Sequence, residues 1–257
     1  TLSPSSAASD VYKRQVITSY QGNQIPVYIT KDGKYLVQGV VEISKIPKRQ
    51  TQVQTSEMEK RERPNVKMFV MSFCPFGQQA ERGLGPALSA LGDTVDFEPH
   101  FVIYSNYRGG GPDYCLDKES RYCSMHGIQE LHEDIRQLCI WKYQPEKWWD
   151  YVNEINSKCN SRNVDSCWEG VAQSVGIDTE KIKACQEEEA LDLLAAELEL
   201  NHRYGVRGSP TVFINDVEYR GNRSPEAYKT AICNAYTNPP EACNTTLSEE
   251  STGGGKC

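Results

Sequence analysis

Residues 66–81 read VKMFVMSFCPFGQQAE, a strand-like run, then Cys74-Pro75-Phe76-Gly77, then the start of a helix-like pattern. Residues 66–73 are almost unbroken in apolar character, as expected of a strand covered on both faces. Beyond the cysteine, Ala80, Leu84, Ala87, Leu88 and Leu91 recur at helical spacing, and Gly85-Pro86 is expected to kink that helix. Residues 95–104 (VDFEPHFVIY) then read as a second strand. The order strand, cysteine, helix, strand points to an α/β domain.

Working outward, residues 105–204 lose the strand pattern and suggest helices near 125–143, 145–158, 165–175 and 179–204. Pro145 suits a first helical turn, Asp178 an N-cap, and Gly205 a helix end. The sheet resumes with Thr211-Val212-Phe213-Ile214, a turn at Asn215-Asp216, and Val217-Glu218-Tyr219. Ser224-Pro225-Glu226 opens a last helix running to about Tyr236. This gives a domain over 66–237 with a helical insertion over about 113–204, and a tail over 238–257. Upstream, residues 16–43 alternate Val, Ile and Tyr between turn signals at Gln21-Gly22-Asn23 and Lys31-Asp32-Gly33, which predicts a small β hairpin unit. Residues 44–65 are charged and poor in large apolar side chains, as in a linker. Residues 1–15 have no periodicity and read as a non-native or disordered junction sequence; on that reading any export signal or membrane anchor lies upstream of the sequence.

The chain has 257 residues, with 28 Lys and Arg against 35 Asp and Glu, a net charge of −7 that disfavours nucleic acid as a partner. No apolar run approaches the ~18 residues of a membrane span. Ten cysteines, an even number, suggest disulfides and an extracytoplasmic setting: periplasmic, cell-surface or secreted.

Cys74 is chemically pointed. At a helix N-terminus it sits beside unpaired N–H groups whose positive partial charge favours thiolate by about 0.3–2 kcal/mol, enough to bring the thiol below its usual ~8.5. A second segment, Gly205-Val-Arg-Gly-Ser209-Pro210-Thr211, enters a strand through an X-Pro bond, a natural place for a cis peptide. With both segments in view, residues 66–237 resemble the thioredoxin superfamily, in particular the DsbA-like thiol-disulfide oxidoreductases with a helical insertion. MSFCPFGQQAE resembles that family's active-site turn and YGVRGSPTVFIND its cis-proline loop. The stretch Cys123-Ser-Met-His126-Gly127-Ile-Gln-Glu130, with Cys139 beyond, is similar to the signature of gamma-interferon-inducible lysosomal thiol reductases, with one extra residue before His126 and Leu131 in place of a cysteine.

The resemblance implies a thioredoxin-like fold, Cys74 as nucleophile, Pro75 and Phe76 shaping the turn, and Ser209, Pro210 and Thr211 receiving substrate backbone by strand addition. Protein thiols or disulfides would be the substrates, a membrane redox partner or a small thiol would turn the site over, and no cofactor or metal is called for. The family's usual C-x-x-C is broken by Gly77, so Cys74 has no second thiol in its motif. Three readings follow: monothiol reductase or isomerase chemistry, resolution by Cys115 or Cys123, or a redox-inactive client-binding or chaperone-like module. Setting Cys74 and Cys257 aside leaves eight cysteines and 105 pairings. Short spacing favours Cys159–Cys167 and Cys233–Cys243, then Cys115–Cys123, which leaves Cys139–Cys185. Cys123, His126, His132 and Cys139 match no strong zinc spacing. Trp141, Trp148, Trp149 and Trp168 read as core or groove lining. By analogy with extra N-terminal β domains in the superfamily, the front β unit is a candidate homodimer surface.

Overall fold

A computed structural model describes residues 13–20, 23–30, 36–38, 58–250 and 255–257. The chain divides at residue 55 into two compact units. In the first, β1 (Lys13–Tyr20), β2 (Asn23–Thr30) and β3 (Leu36–Gln38) form an antiparallel meander, paired from Lys13↔Thr30 to Tyr20↔Asn23 and from Ile29↔Leu36 to Val27↔Gln38. The first strand begins at Lys13, inside the lead that its lack of periodicity had set apart. Most of the expected linker falls outside the described residues.

The second unit starts earlier than the hydrophobic pattern suggests. Arg61 donates its N–H to Ala235 O at 2.9 Å and accepts from Thr237 N at 2.8 Å, so this charged segment is tied down by backbone bonds that side-chain polarity does not report. Strand β4 (Asn65–Val70) lies at the centre of a four-stranded sheet of order β5-β4-β6-β7, parallel to β5 (Asp96–Phe101) and antiparallel to β6 (Thr211–Ile214), with β7 (Val217–Tyr219) at the far edge. Strand period two sends Val66, Met68 and Val70 into the larger core, with Leu84, Leu88 and the insertion helices. Phe69 and Met71 go into a smaller cluster with Cys74, Val102 and Phe213. Both faces are covered, as the unbroken apolar run requires. This is a thioredoxin-like fold with a helical insertion.

Helix α1 (Pro75–Leu91) follows the cysteine and passes through Pro86 without ending, because Pro86 and Arg82, whose carbonyl loses its donor, both lie on the exposed face. The insertion holds α2 (Ile128–Tyr143), α3 (Trp148–Lys158), α4 (Val164–Ser174) and α5 (Thr179–Tyr204), and α6 (Pro225–Cys233) closes the domain. Asp178 caps α5 by accepting from Lys181 N, and Gly205 ends it at φ 63°. Phe97, Trp141, Trp148 and Trp149 form one ring cluster, with Phe97 stacked on Trp149 at 5.3 Å. No helix among the described residues is long and apolar enough to cross a membrane.

The far end of α5 closes the open edge of β5. Glu197 accepts from Phe101 N at 2.8 Å, and Asn201 both accepts from Ile103 N at 3.1 Å and donates to Phe101 O at 2.8 Å. Two side chains thus pair backbone groups at the C-terminal end of β5 as a neighbouring strand would. Glu197 also bonds His100 Nδ1 at 2.9 Å, and Glu98 bonds His100 Nε2 at 3.3 Å. Burial alone would lower the pKa of His100; hydrogen bonds to Glu197 and Glu98 outweigh it and push it up to about 9. His100 therefore contributes stability that is full below its unfolded value of about 6.5 and is lost as pH rises through 9. In urea unfolding, His100→Gln should be less stable than wild type at pH 6, and the gap should narrow by on the order of 3 kcal/mol toward pH 10. A gap independent of pH would contradict the assignment.

Candidate functional site

Cys74 is the N-cap of α1, with Pro75 at the first helical position. Its sulfur accepts from Gly77 N at 3.4 Å and lies 3.4 Å from Ser209 O, the carbonyl of the cis Ser209–Pro210 bond. The turn and the proline loop therefore meet at one sulfur. That sulfur is not free: Cys74 is fully buried and joined to Cys257, 183 residues away. The monothiol expectation is corrected here, as is the setting aside of Cys257.

Cys115 and Cys123 are joined to each other, so neither is available to resolve Cys74. Cys159 is joined to Cys167 and Cys233 to Cys243, the pairs that short spacing favours, and Cys139 is joined to Cys185, the pair that remains. Among the described residues no cysteine is free. The sulfurs of Cys123 and Cys139 are thus committed to disulfides, while His126 bonds Glu130 and His132 bonds Asp165. Five disulfides suit an oxidising, extracytoplasmic or lumenal compartment.

Residues 255–257, expected to be part of a tail, lie in the groove between turn and loop. Cys257 N donates to Ser209 O at 2.9 Å. Lys256 Nζ donates to Thr211 Oγ1 at 3.1 Å and Glu218 Oε1 at 3.3 Å, and Arg223 donates to Gly255 O. Phe76 covers Gly255 so closely that a Cβ there would come within 2.4 Å of the ring. Of the five residues expected to bind substrate, Phe76, Ser209 and Thr211 contact this segment, Pro210 is buried beside it, and Pro75 is exposed. Gly208 must lack a side chain, since a Cβ would stand 2.3 Å from Cys257 O. Sequence reasoning missed Glu218, Arg223 and Lys256. Parity was the available signal for Cys257, because two cysteines removed from an even set leave each other as partners.

Gly77 occupies the position of the family's second cysteine. A Cβ there would lie 2.6 Å from Ser209 Oγ, which is fully buried and accepts from Met71 N at 3.0 Å. The missing thiol is therefore compensated by packing: the space is filled by the serine beside the cis-proline.

Beneath the turn lies a cluster of buried acids from the insertion. Asp134 accepts from Ser72 N at 3.1 Å, and Glu130 from Phe73 N at 2.8 Å. Glu130 also accepts from Ser124 Oγ and bonds His126 Nδ1 at 2.8 Å, so the Cys123–Glu130 stretch holds the turn through its last residue. Gln137 joins Ser72 to Glu133, and Arg136 and Tyr151 donate to Glu133. Burial, reinforced by the charge of Glu130, pushes the Asp134 carboxyl well above the usual range. Burial takes Glu81, bonded to Asn156, up to about 7.

Comparisons with known proteins divide along these lines. The thiol-disulfide oxidoreductase DsbG of Mycobacterium tuberculosis, in reduced form, superposes with a TM-score of 0.50 at 17% identity, covering 72% of this chain and 85% of that one, which supports the fold alone. Vacuolar-sorting receptor 5 of Arabidopsis thaliana is 30% identical over 189 residues, 60% of this chain and 30% of the receptor. Vacuolar-sorting receptor 1 of Pisum sativum is 28% identical over 184 residues, 59% of this chain and 30% of the receptor. The chain thus spans about a third of the length of these relatives. The vacuolar sorting receptor thioredoxin-like domain matches residues 88–233, which include the whole helical insertion and the cis-proline loop but not Cys74 or Cys257.

Gly77→Ala should destabilise the fold by about 1–3 kcal/mol in urea, and the double variant Gly77→Ala/Ser209→Ala should cost less than the two single changes added together. Strict additivity would show that Ser209 does not fill that space. The DsbA-like likeness that the two motifs suggest holds at the level of the fold, and at the level of family the chain belongs to the vacuolar sorting receptor thioredoxin-like domain family.

Proposed function

We propose that this chain is a protein-recognition module of an extracytoplasmic or lumenal sorting receptor, in which an oxidoreductase fold is kept for its peptide groove and does not turn over disulfides. The observation that carries this reading is the capping of Cys74: its sulfur is bonded to Cys257, and the groove beside Ser209 holds backbone in place of solvent. Gly77 removes the second thiol that a dithiol cycle needs, and Ser209 fills the space it would occupy. The relatives described above are receptors by name, and the five disulfides agree with export from the cytosol.

A second reading is favoured by one contact. Cys257 donates its backbone N–H to the carbonyl before the cis-proline, where the thioredoxin resemblance implies that substrate backbone pairs. In that reading Cys74 and Cys257 form a remote redox pair, and the protein exchanges disulfides with exported clients.

An insulin-reduction assay separates the two. The recognition reading expects the native protein to leave the dithiothreitol background rate unchanged, and expects Cys74→Ser/Cys257→Ser to bind a reduced, carboxymethylated polypeptide at least as tightly as wild type in fluorescence anisotropy. Turnover above background that disappears in Cys74→Ser would replace it with the redox-pair reading.

A further inference from the structure

The three residues in the groove are read in four ways at once. The backbone of Cys257 is read by Ser209 O, at 2.9 Å. Charge is read at Lys256, whose ammonium lies between Glu218 and Thr211. Size is read at Gly255, pressed under Phe76 and held through its carbonyl by Arg223. The sulfur of Cys257 is read by Cys74. Arg223 is itself oriented by Gln79 Oε1 at 3.1 Å, and Gly208 leaves room for the Cys257 carbonyl. Beside the segment a cavity of about 570 Å³, lined by Pro210, Glu218, Tyr219, Arg223 and Lys256, continues the groove. A disulfide serving only as a staple needs none of the other three readings, since two sulfurs at the right distance suffice.

We propose that residues 255–257 are a cis-held stand-in for an extended segment of a partner protein, and that the groove selects a small residue, a basic residue and a cysteine in that order. The proposal deepens the recognition reading and rests on it. Exchange proceeds by swapping one strand for another. The partner's cysteine thiolate attacks Cys257 Sγ; the Cys74–Cys257 bond breaks and Cys74 leaves as a thiolate, stabilised by Gly77 N–H at the N-terminus of α1. Cys257 is the less buried member of the pair, half-buried where Cys74 is fully buried. The Cys74 thiolate then attacks the partner's sulfur and releases Cys257 as thiolate. One disulfide is present before and after, one thiolate is consumed and one released, and no external oxidant or reductant is required. Glu218 and Thr211 are the specificity residues, because they meet the basic side chain without touching sulfur.

The test uses the full chain carrying Cys257→Ser, which frees the Cys74 thiol. Two peptides, acetyl-Gly-Lys-Cys-amide and acetyl-Gly-Glu-Cys-amide, are offered as 2-thiopyridyl disulfides, and release of pyridine-2-thione is followed. Cys74 should react with the lysine peptide about five- to tenfold faster, the size of one partly exposed charge pair replaced by a like-charge contact. Glu218→Lys in the same background should reverse the order. Equal rates in both proteins would overturn the basic subsite. A Cys74 that stays silent until denaturant is added would overturn the strand swap. Lys256→Glu in the otherwise wild-type chain gives a check that keeps every cysteine: glutathione should open the Cys74–Cys257 bond faster than in wild type, and an unchanged rate would again overturn the charge reading. None of these outcomes depends on insulin turnover, so failure of the peptide preference and failure of the recognition reading are separately visible.

Discussion

The bond between Cys74 and Cys257 governs what the rest of the site can do. A thiol at a helix tip beside a cis-proline is poised for nucleophilic attack, because unpaired N–H groups stabilise its anion. Once that sulfur is paired, the same geometry grips a segment of backbone. The bond also closes a loop of 183 residues, which in a chain-entropy account disfavours the unfolded state by about 5 kcal/mol. One covalent link therefore fills the groove and binds residues 255–257 to the domain.

The helical insertion supports this arrangement from below and from the side. From α2, Glu130 and Asp134 reach the N–H groups of Phe73 and Ser72 and fix the backbone that delivers Cys74. From α5, Glu197 and Asn201 occupy the open edge of β5. Buried acids are costly unless they are hydrogen-bonded, and here Asp134, Glu130 and Glu197 each accept from a backbone N–H, those of Ser72, Phe73 and Phe101. The insertion thus buttresses a four-stranded sheet that is short of strands on one side.

The fold was largely legible in the sequence because its signals are local. The apolar run of β4, the helical spacing of α1, the Asp178 cap and the Gly205 stop each depend on residues a few positions apart, and all appear in the structure. The meeting of Cys74 with Ser209-Pro210 was legible only through a family likeness, since nothing local ties residue 74 to residue 209. Residues 255–257 were illegible for a physical reason. Gly-Lys-Cys has no hydrophobic pattern, and its contacts with Ser209, Thr211, Glu218 and Arg223 are long-range and polar. Gly77 looked like a lost thiol in the sequence; the structure shows why the position takes no side chain, because Ser209 Oγ stands where a Cβ would go.

The most direct measurement is a disulfide map by mass spectrometry of the native protein, alkylated without reduction and then digested. A crosslinked peptide pair containing Cys74 and Cys257 is expected, with no alkylated Cys74. An alkylated Cys74, or Cys257 joined to any other cysteine, would contradict that pairing.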